Sequence, residues 1–133
     1  MRDPMELLEA YAKEIESDTQ IDVTNVMEKQ FSSPNVKHKW LYRLMKTKKD
    51  LLTLGDARDN FIAESMERDN PLQLSKAAIT SRMGTNQDYR KLQLKIKDQE
   101  LLVEYLEMSV NKIFSQIGFD FKNLVELMKM EQL

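Results

Sequence analysis

The sequence predicts an all-α protein in which two long helices form an antiparallel hairpin, short helices flank them, and copies assemble into a homo-oligomer. Three observations carry this expectation. Only three Gly and three Pro occur among 133 residues, too few to punctuate a sandwich, barrel or doubly wound sheet. Two long stretches carry apolar residues at alternating spacings of three and four, the period of a helix face. Residues that start and stop helices stand at the ends of these stretches. A chain of this length has room for one modest core, so residues 1–133 read as a single helical domain.

Asp3-Pro4-Met5-Glu6 predicts the first helix start. Asp3 accepts from orphan amides, Pro4 suits the first turn and Glu6 closes a capping box. Leu8, Tyr11, Ala12 and Ile15 make a short apolar stripe, residues 17–21 break it, and residues 22–31 form a second amphipathic piece with Val23, Val26, Met27 and Phe31. Ser32-Ser33-Pro34 is expected to end that piece. Ser33 as cap and Pro34 at the first position then open a long helix to Asp69, stopped by Asn70-Pro71, spanning roughly 50 Å. Its seam is Val36, Trp40, Leu44, Thr47, Leu51, Leu54 and Phe61, widened by Leu41, Met45, Leu52 and Ile62. Gly55 is a weak point inside it, worth about 1 kcal/mol relative to Ala.

Within residues 71–85, residues 75–79 suit a short helix, and residues 83–86 a turn. Residues 91–97 alternate like a strand, but the longer register overrides this. Tyr89, Leu92, Ile96, Gln99, Val103, Leu106, Val110, Ile113 and Ile117 repeat by three and four through four heptads, a coiled-coil seam. Thr85 and Asp88 suit its capping box and Gly118 its C-terminal stop. Asp120 then caps a last short helix with Phe121, Leu124, Val125 and Met128 on one face. Apolar surface beyond what one hairpin covers implies self-association.

A net charge of −2 conceals a pattern. Residues 29–49 hold Lys29, Lys37, Lys39, Arg43, Lys46, Lys48 and Lys49 with no acid, and residues 76–97 hold six bases against Asp88 alone; the three remaining segments are acidic. Both basic blocks open a long helix, where the macrodipole disfavours cations. Helix stability therefore does not explain them. One explanation is a surface that tracks phosphates, with Phe31, Trp40 and Tyr42 offering faces to unstacked bases; the other is neutralisation by acids packed opposite. Trp40 lies on the apolar register and reads as core, whereas Tyr42 lies off it and is the better stacking candidate. No helix-turn-helix, zinc-finger or basic-zipper pattern points to duplex DNA, so a single strand is the expected ligand.

Catalysis finds little support. There is no Cys, and the one His, His38, sits between lysines and reads as solvated. No Gly-rich phosphate loop, Walker lysine, nucleophile elbow or His-Glu-x-x-His occurs, and Glu64/Glu67 and Glu100/Glu104 are ordinary for exposed helix faces. The expectation is a non-enzyme without metal or cofactor. No apolar run approaches a membrane span, and an intracellular location without membrane contact is expected.

Several segments carry a resemblance: Ile21-Asp22-Val23-Thr24, Lys39-Trp40-Leu41 with Lys48-Lys49, Leu74-Ser75-Lys76-Ala77-Ala78-Ile79, Lys91-Leu92-Gln93-Leu94-Lys95-Ile96-Lys97 and Gly118-Phe119-Asp120-Phe121-Lys122-Asn123. Together and in this order they resemble the UvsY family of bacteriophage recombination mediator proteins. The resemblance implies a ring-like homo-oligomer, a hexamer or heptamer, in the cytoplasm of the infected bacterial host. It implies binding to single-stranded DNA, and loading of a RecA-type recombinase onto strands covered by single-strand-binding protein. Together with the charge blocks it makes Lys37, Lys39, Tyr42, Arg43, Lys46, Lys48, Lys49, Lys76, Arg82, Arg90, Lys91 and Lys95 the candidate DNA-binding residues. It assigns assembly to the C-terminal helices, here Val103, Leu106, Val110, Ile113, Ile117, Phe121, Leu124, Val125 and Met128. A basic, aromatic motif that relatives can carry late in the first long helix is replaced by Phe61-Ile62-Ala63-Glu64-Ser65-Met66, which shifts the expected contacts to the two basic blocks.

Overall fold

The computed structural model describes residues 2–68 and 74–131. They form helices α1 (Pro4–Thr19), α2 (Val26–Arg68), α3 (Lys76–Met83) and α4 (Gln87–Met108), a π-helical segment (Ser109–Ile113) and α5 (Phe114–Glu131). No strand occurs among the described residues. The expected all-α antiparallel hairpin is present. Phe61 packs on Tyr89, with ring centroids 6.0 Å apart, the Gln99 amide donates to the Thr47 carbonyl (3.0 Å), and Lys48 pairs with Glu107 (2.8 Å). As the number rises along α4 it falls along α2.

Asp3 caps α1 by accepting from the Met5 amide, and Ile15 carries its stripe into the core. The start of α2 lies earlier than the sequence implies. Ser33-Pro34 does not open a helix; the piece at residues 22–31 runs straight into the long one, and Pro34 sits inside α2. Asp22 and Asn25 organise the entry: the Asp22 carboxylate accepts from the Thr24 and Asn25 amides, and the Asn25 side chain accepts from the Asp22 amide. An interior proline removes one helical hydrogen bond and costs about 3 kcal/mol. The offset comes from phase, because Val26, Ser33, Val36 and Trp40 keep one register across Pro34, and Val26 is fully buried in the core cluster to which Trp40 also belongs. The stop at Asn70-Pro71 lies outside the described residues.

Ser75 caps α3 by accepting from the Ala78 amide, and the turn at Gly84 follows as expected. Asn86, not Thr85, caps α4; its side chain accepts from the Asp88 and Tyr89 amides, while the Thr85 hydroxyl donates back to Arg82. The heptad seam then holds through Leu106 and breaks. In the π segment the Phe114 amide donates to the Ser109 carbonyl, five residues back, which inserts one residue into the register. Ile113 turns outward, and Phe114 takes its place in the core with Ile117 and Phe121. Gly118 therefore does not end a helix and Asp120 caps none: α5 continues through both, in phase with the shifted stripe.

Trp40, Leu44, Leu102, Val103, Leu106, Phe114, Ile117 and Phe121 form the core with Ile15 and Val26, while Ile79 and Tyr89 are buried towards the α3 end. The expected α2 seam is inside, but Leu41, Met45 and Leu52 do not widen it: all three are exposed. At about 3.6 residues per turn they fall well away from its centre.

Candidate nucleic-acid interface

The first basic block wraps around α2, so helical phase divides it into an inward and an outward part. On the inward flank α1 lays its acids against α2. Lys39 reaches Glu14 (3.1 Å) and Asp18 (2.8 Å), and Arg43 pairs with the other oxygen of Glu14. The Trp40 indole N–H donates to Asp18 (2.8 Å). The Arg43 guanidinium lies 4.7 Å from the Trp40 ring centroid and 5.1 Å from that of Tyr11, with Tyr11 edge-on to Trp40 at 5.3 Å. Burial pushes the Glu14 and Asp18 carboxyls up, but the hydrogen bonds and charges of Arg43 and Lys39, and the Trp40 N–H at Asp18, together hold both below the usual carboxylate range. Burial likewise lowers Lys39, and Asp18 and Glu14 outweigh it, leaving the ammonium pKa raised. This knot fastens α1 to α2.

The outward part is different. Phe31, His38, Tyr42 and Lys49 are spaced by seven, four and seven residues, which puts them on one face of α2, opposite Trp40 and Leu44, and Lys46 stands at its edge, bordering the groove lined by Arg2, Leu7 and Tyr11. All five are exposed, Phe31 at 81% and Tyr42 at 64%. The ridge runs about 27 Å along the helix and contains no acid. Neither Lys46 nor Lys49 meets a carboxylate within ion-pair distance among the described residues. Such a ridge can hold phosphates on its cations and stack bases on its two aromatic rings.

Of the remaining expected residues, Lys37 is exposed at the α2–α5 groove lined by Pro34, Phe121, Lys122 and Lys129, and Lys48 is engaged by Glu107. Lys76, Arg82, Arg90 and Lys91 are exposed and Lys95 half-buried, all without an ion-pair partner among the described residues. The first four lie towards the end of the hairpin where Tyr89 meets Phe61. Arg90 sits alongside the late part of α2, about 20 Å from Lys46 and Lys49 along the hairpin, whereas Lys95, four residues before the Gln99 that donates to Thr47, lies nearly level with them.

The residues expected at the assembly face also divide. Val103, Leu106, Ile117 and Phe121 are buried in the core of one copy, Val110, Leu124, Val125 and Met128 pack half-buried against it, and Ile113 is exposed. A row that the sequence reading missed lies on the opposite side of α4: Leu94, Leu101 and Met108, all exposed. Its signal is a seven-residue repeat two positions out of phase with the seam. Among the described residues no cluster of three or more His, Asp or Glu side chains is placed to hold a metal ion, and no helix is long and apolar enough to cross a membrane.

No family model matches the chain, and no curated protein matches its sequence. Among solved structures, the crystal structure of the recombination mediator protein UvsY of bacteriophage T4 is similar, with a TM-score of 0.78 over 98% of this chain and 99% of that one. Identity is 18%, so the likeness is one of fold. It spans nearly the whole of both chains.

Proposed function

We propose that the protein is a noncatalytic recombination mediator that binds single-stranded DNA and helps load a RecA-type recombinase onto strands covered by single-strand-binding protein. The observation that carries the reading is the acid-free outward ridge of α2, with Phe31 and Tyr42 interleaved among Lys46, Lys49 and His38. The whole-chain likeness to a phage recombination mediator supports the biological role, as do the sequence segments that resemble that family. Cations release counterions from phosphates while aromatic faces stack bases, and neither contact needs a particular base. A ring of copies multiplies modest contacts from each subunit. The protein acts in the cytoplasm of the infected bacterial host.

The test is a titration with a fluorescent oligothymidylate over a range of salt. Binding weakens with salt, and Lys46→Ala with Lys49→Ala lowers the slope by roughly 0.7 for each lost phosphate contact. Tyr42→Ala weakens binding by about 1–3 kcal/mol with little change of slope. The mediator step is read as faster assembly of a RecA-type filament on strands coated with single-strand-binding protein. No binding at low salt overturns the reading and leaves a helical adaptor for proteins, for which the exposed Leu41, Met45 and Leu52 would be the contact surface.

A further inference from the structure

Leu94, Leu101 and Met108 are 61%, 51% and 52% exposed. Spaced by seven, they stack into one row along α4, on the side opposite Ile96, Gln99, Val103 and Leu106. Single exposed apolar residues need no explanation, but a continuous row along a helix does. Charges of both signs stand beside the row. Arg90, Lys91 and Lys97 stand before Leu101 and Glu104 after it, with Asp98 and Glu100 close to the centre, and none of these has an ion-pair partner among the described residues. Lys97 and Glu104, four residues before and three after Leu101, are both exposed, so a reversed copy centred on Leu101 sets each beside its opposite charge.

We propose that this face of α4 docks, antiparallel, on the same face of a second copy, about a two-fold axis beside Leu101. Leu101 then meets its own equivalent, Leu94 meets Met108 across the axis, and Lys97 of each copy reaches Glu104 of the other. A parallel pairing would set Lys97 beside Lys97 and Glu104 beside Glu104, and Asp98, Glu100 and Glu104 close to the centre of the row disfavour a polyanion. The contact is isologous and closes at two copies. It is thus a different contact from the head-to-tail one that a ring needs, it leaves the α2 ridge uncovered, and it does not depend on the nucleic-acid reading.

The chain has no cysteine, so single-cysteine variants report the geometry directly. A disulfide forms only where Cα atoms approach within about 7 Å. Under mild oxidation Leu101→Cys gives a linked dimer on a non-reducing gel. Leu94→Cys and Met108→Cys each stay unlinked alone and link when mixed. Leu52→Cys, exposed on α2, sets the collision background. Linking of all three variants with themselves, or no linking above that background, overturns the proposal. Sedimentation gives an independent reading: Lys97→Glu raises the dissociation constant of the pair several-fold, and adding Glu104→Lys restores it. A double variant no tighter than Lys97→Glu also overturns it.

Discussion

In the first basic block Lys39 and Arg43 lie within hydrogen-bond reach of Glu14 and Asp18, whereas in the second Lys76, Arg82, Arg90, Lys91 and Lys95 meet no carboxylate at ion-pair distance among the described residues. The blocks are alike in composition and differ in what packs beside them. Acidic α1 lies along the inward flank of the first. The second is flanked by α3, which has no acid of its own. Position then divides the first block again: Lys49 lies on the far side of α2 from α1, while Lys46 borders the groove lined by Arg2, Leu7 and Tyr11 without meeting an acid at ion-pair distance. The neutralisation of charge weighed against binding is therefore real but local: it takes Lys39 and Arg43 through α1, and Lys48 through Glu107. A cation's role here follows from whether an acid packs within its reach, not from its membership of a basic run.

The largest effect expected from breaking this arrangement comes from its centre. Trp40 is fully buried, donates to Asp18 and carries the rings and cations that join α1 to α2. Trp40→Ala removes a large packed side chain and one of the two hydrogen bonds that Asp18 accepts, Lys39 keeping the other, and costs about 3–5 kcal/mol. Urea denaturation followed by circular dichroism measures it. A loss below about 1 kcal/mol would mean that α1 contributes little to the fold.

A smaller effect separates the two parts of the first block. Arg43→Ala removes the partner of Glu14 and the guanidinium packed over two rings, and costs about 1–2 kcal/mol, held to that by its partial exposure. Lys49→Ala, on the outward ridge, changes stability by no more than about 0.5 kcal/mol. The same denaturation series compares them, and equal losses would erase the distinction between anchoring and displayed cations.

Much of this was legible beforehand. Three- and four-residue spacings placed Trp40 and Leu44 inside and Tyr42 outside, and the Gly/Pro count gave the helical class. Two local features were not legible, each for a physical reason. Pro34 follows Ser33 in a capping pattern that favours a new helix, but the tertiary gain from burying Val26 in phase with Trp40 overrides the local signal. The π segment is invisible to a strict heptad count, which sends Ile113 inward and Phe114 out. The clue was that Phe121, Leu124, Val125 and Met128 continue at helical spacing from Phe114 and Ile117. As for the site, the cations were readable as a block, but their division between ion pairs and solvent was not, because it depends on where α1 crosses α2.

The smallest effect expected is a dependence on pH carried by the knot alone. The Glu14 and Asp18 carboxyls are pushed up by burial and pulled further down by Arg43, Lys39 and the Trp40 N–H, so their folded pKa values lie below the usual ones. In the carboxylate range the unfolded chain then binds more protons than the folded one. The stability these groups contribute is full above the unfolded values and is lost as pH falls through the folded ones. Lys39 works at the other end: its raised pKa contributes stability below the usual lysine range, and that contribution disappears as pH rises through the raised value. Urea midpoints are therefore lower at pH 3 than at pH 6, and Glu14→Gln with Asp18→Asn flattens that difference. Replacing Arg90 and Lys91 by Met leaves it unchanged, because neither forms an ion pair with a carboxylate among the described residues. Equal flattening by both pairs of substitutions would show that the acid response comes from overall charge and not from the contacts between α1 and α2.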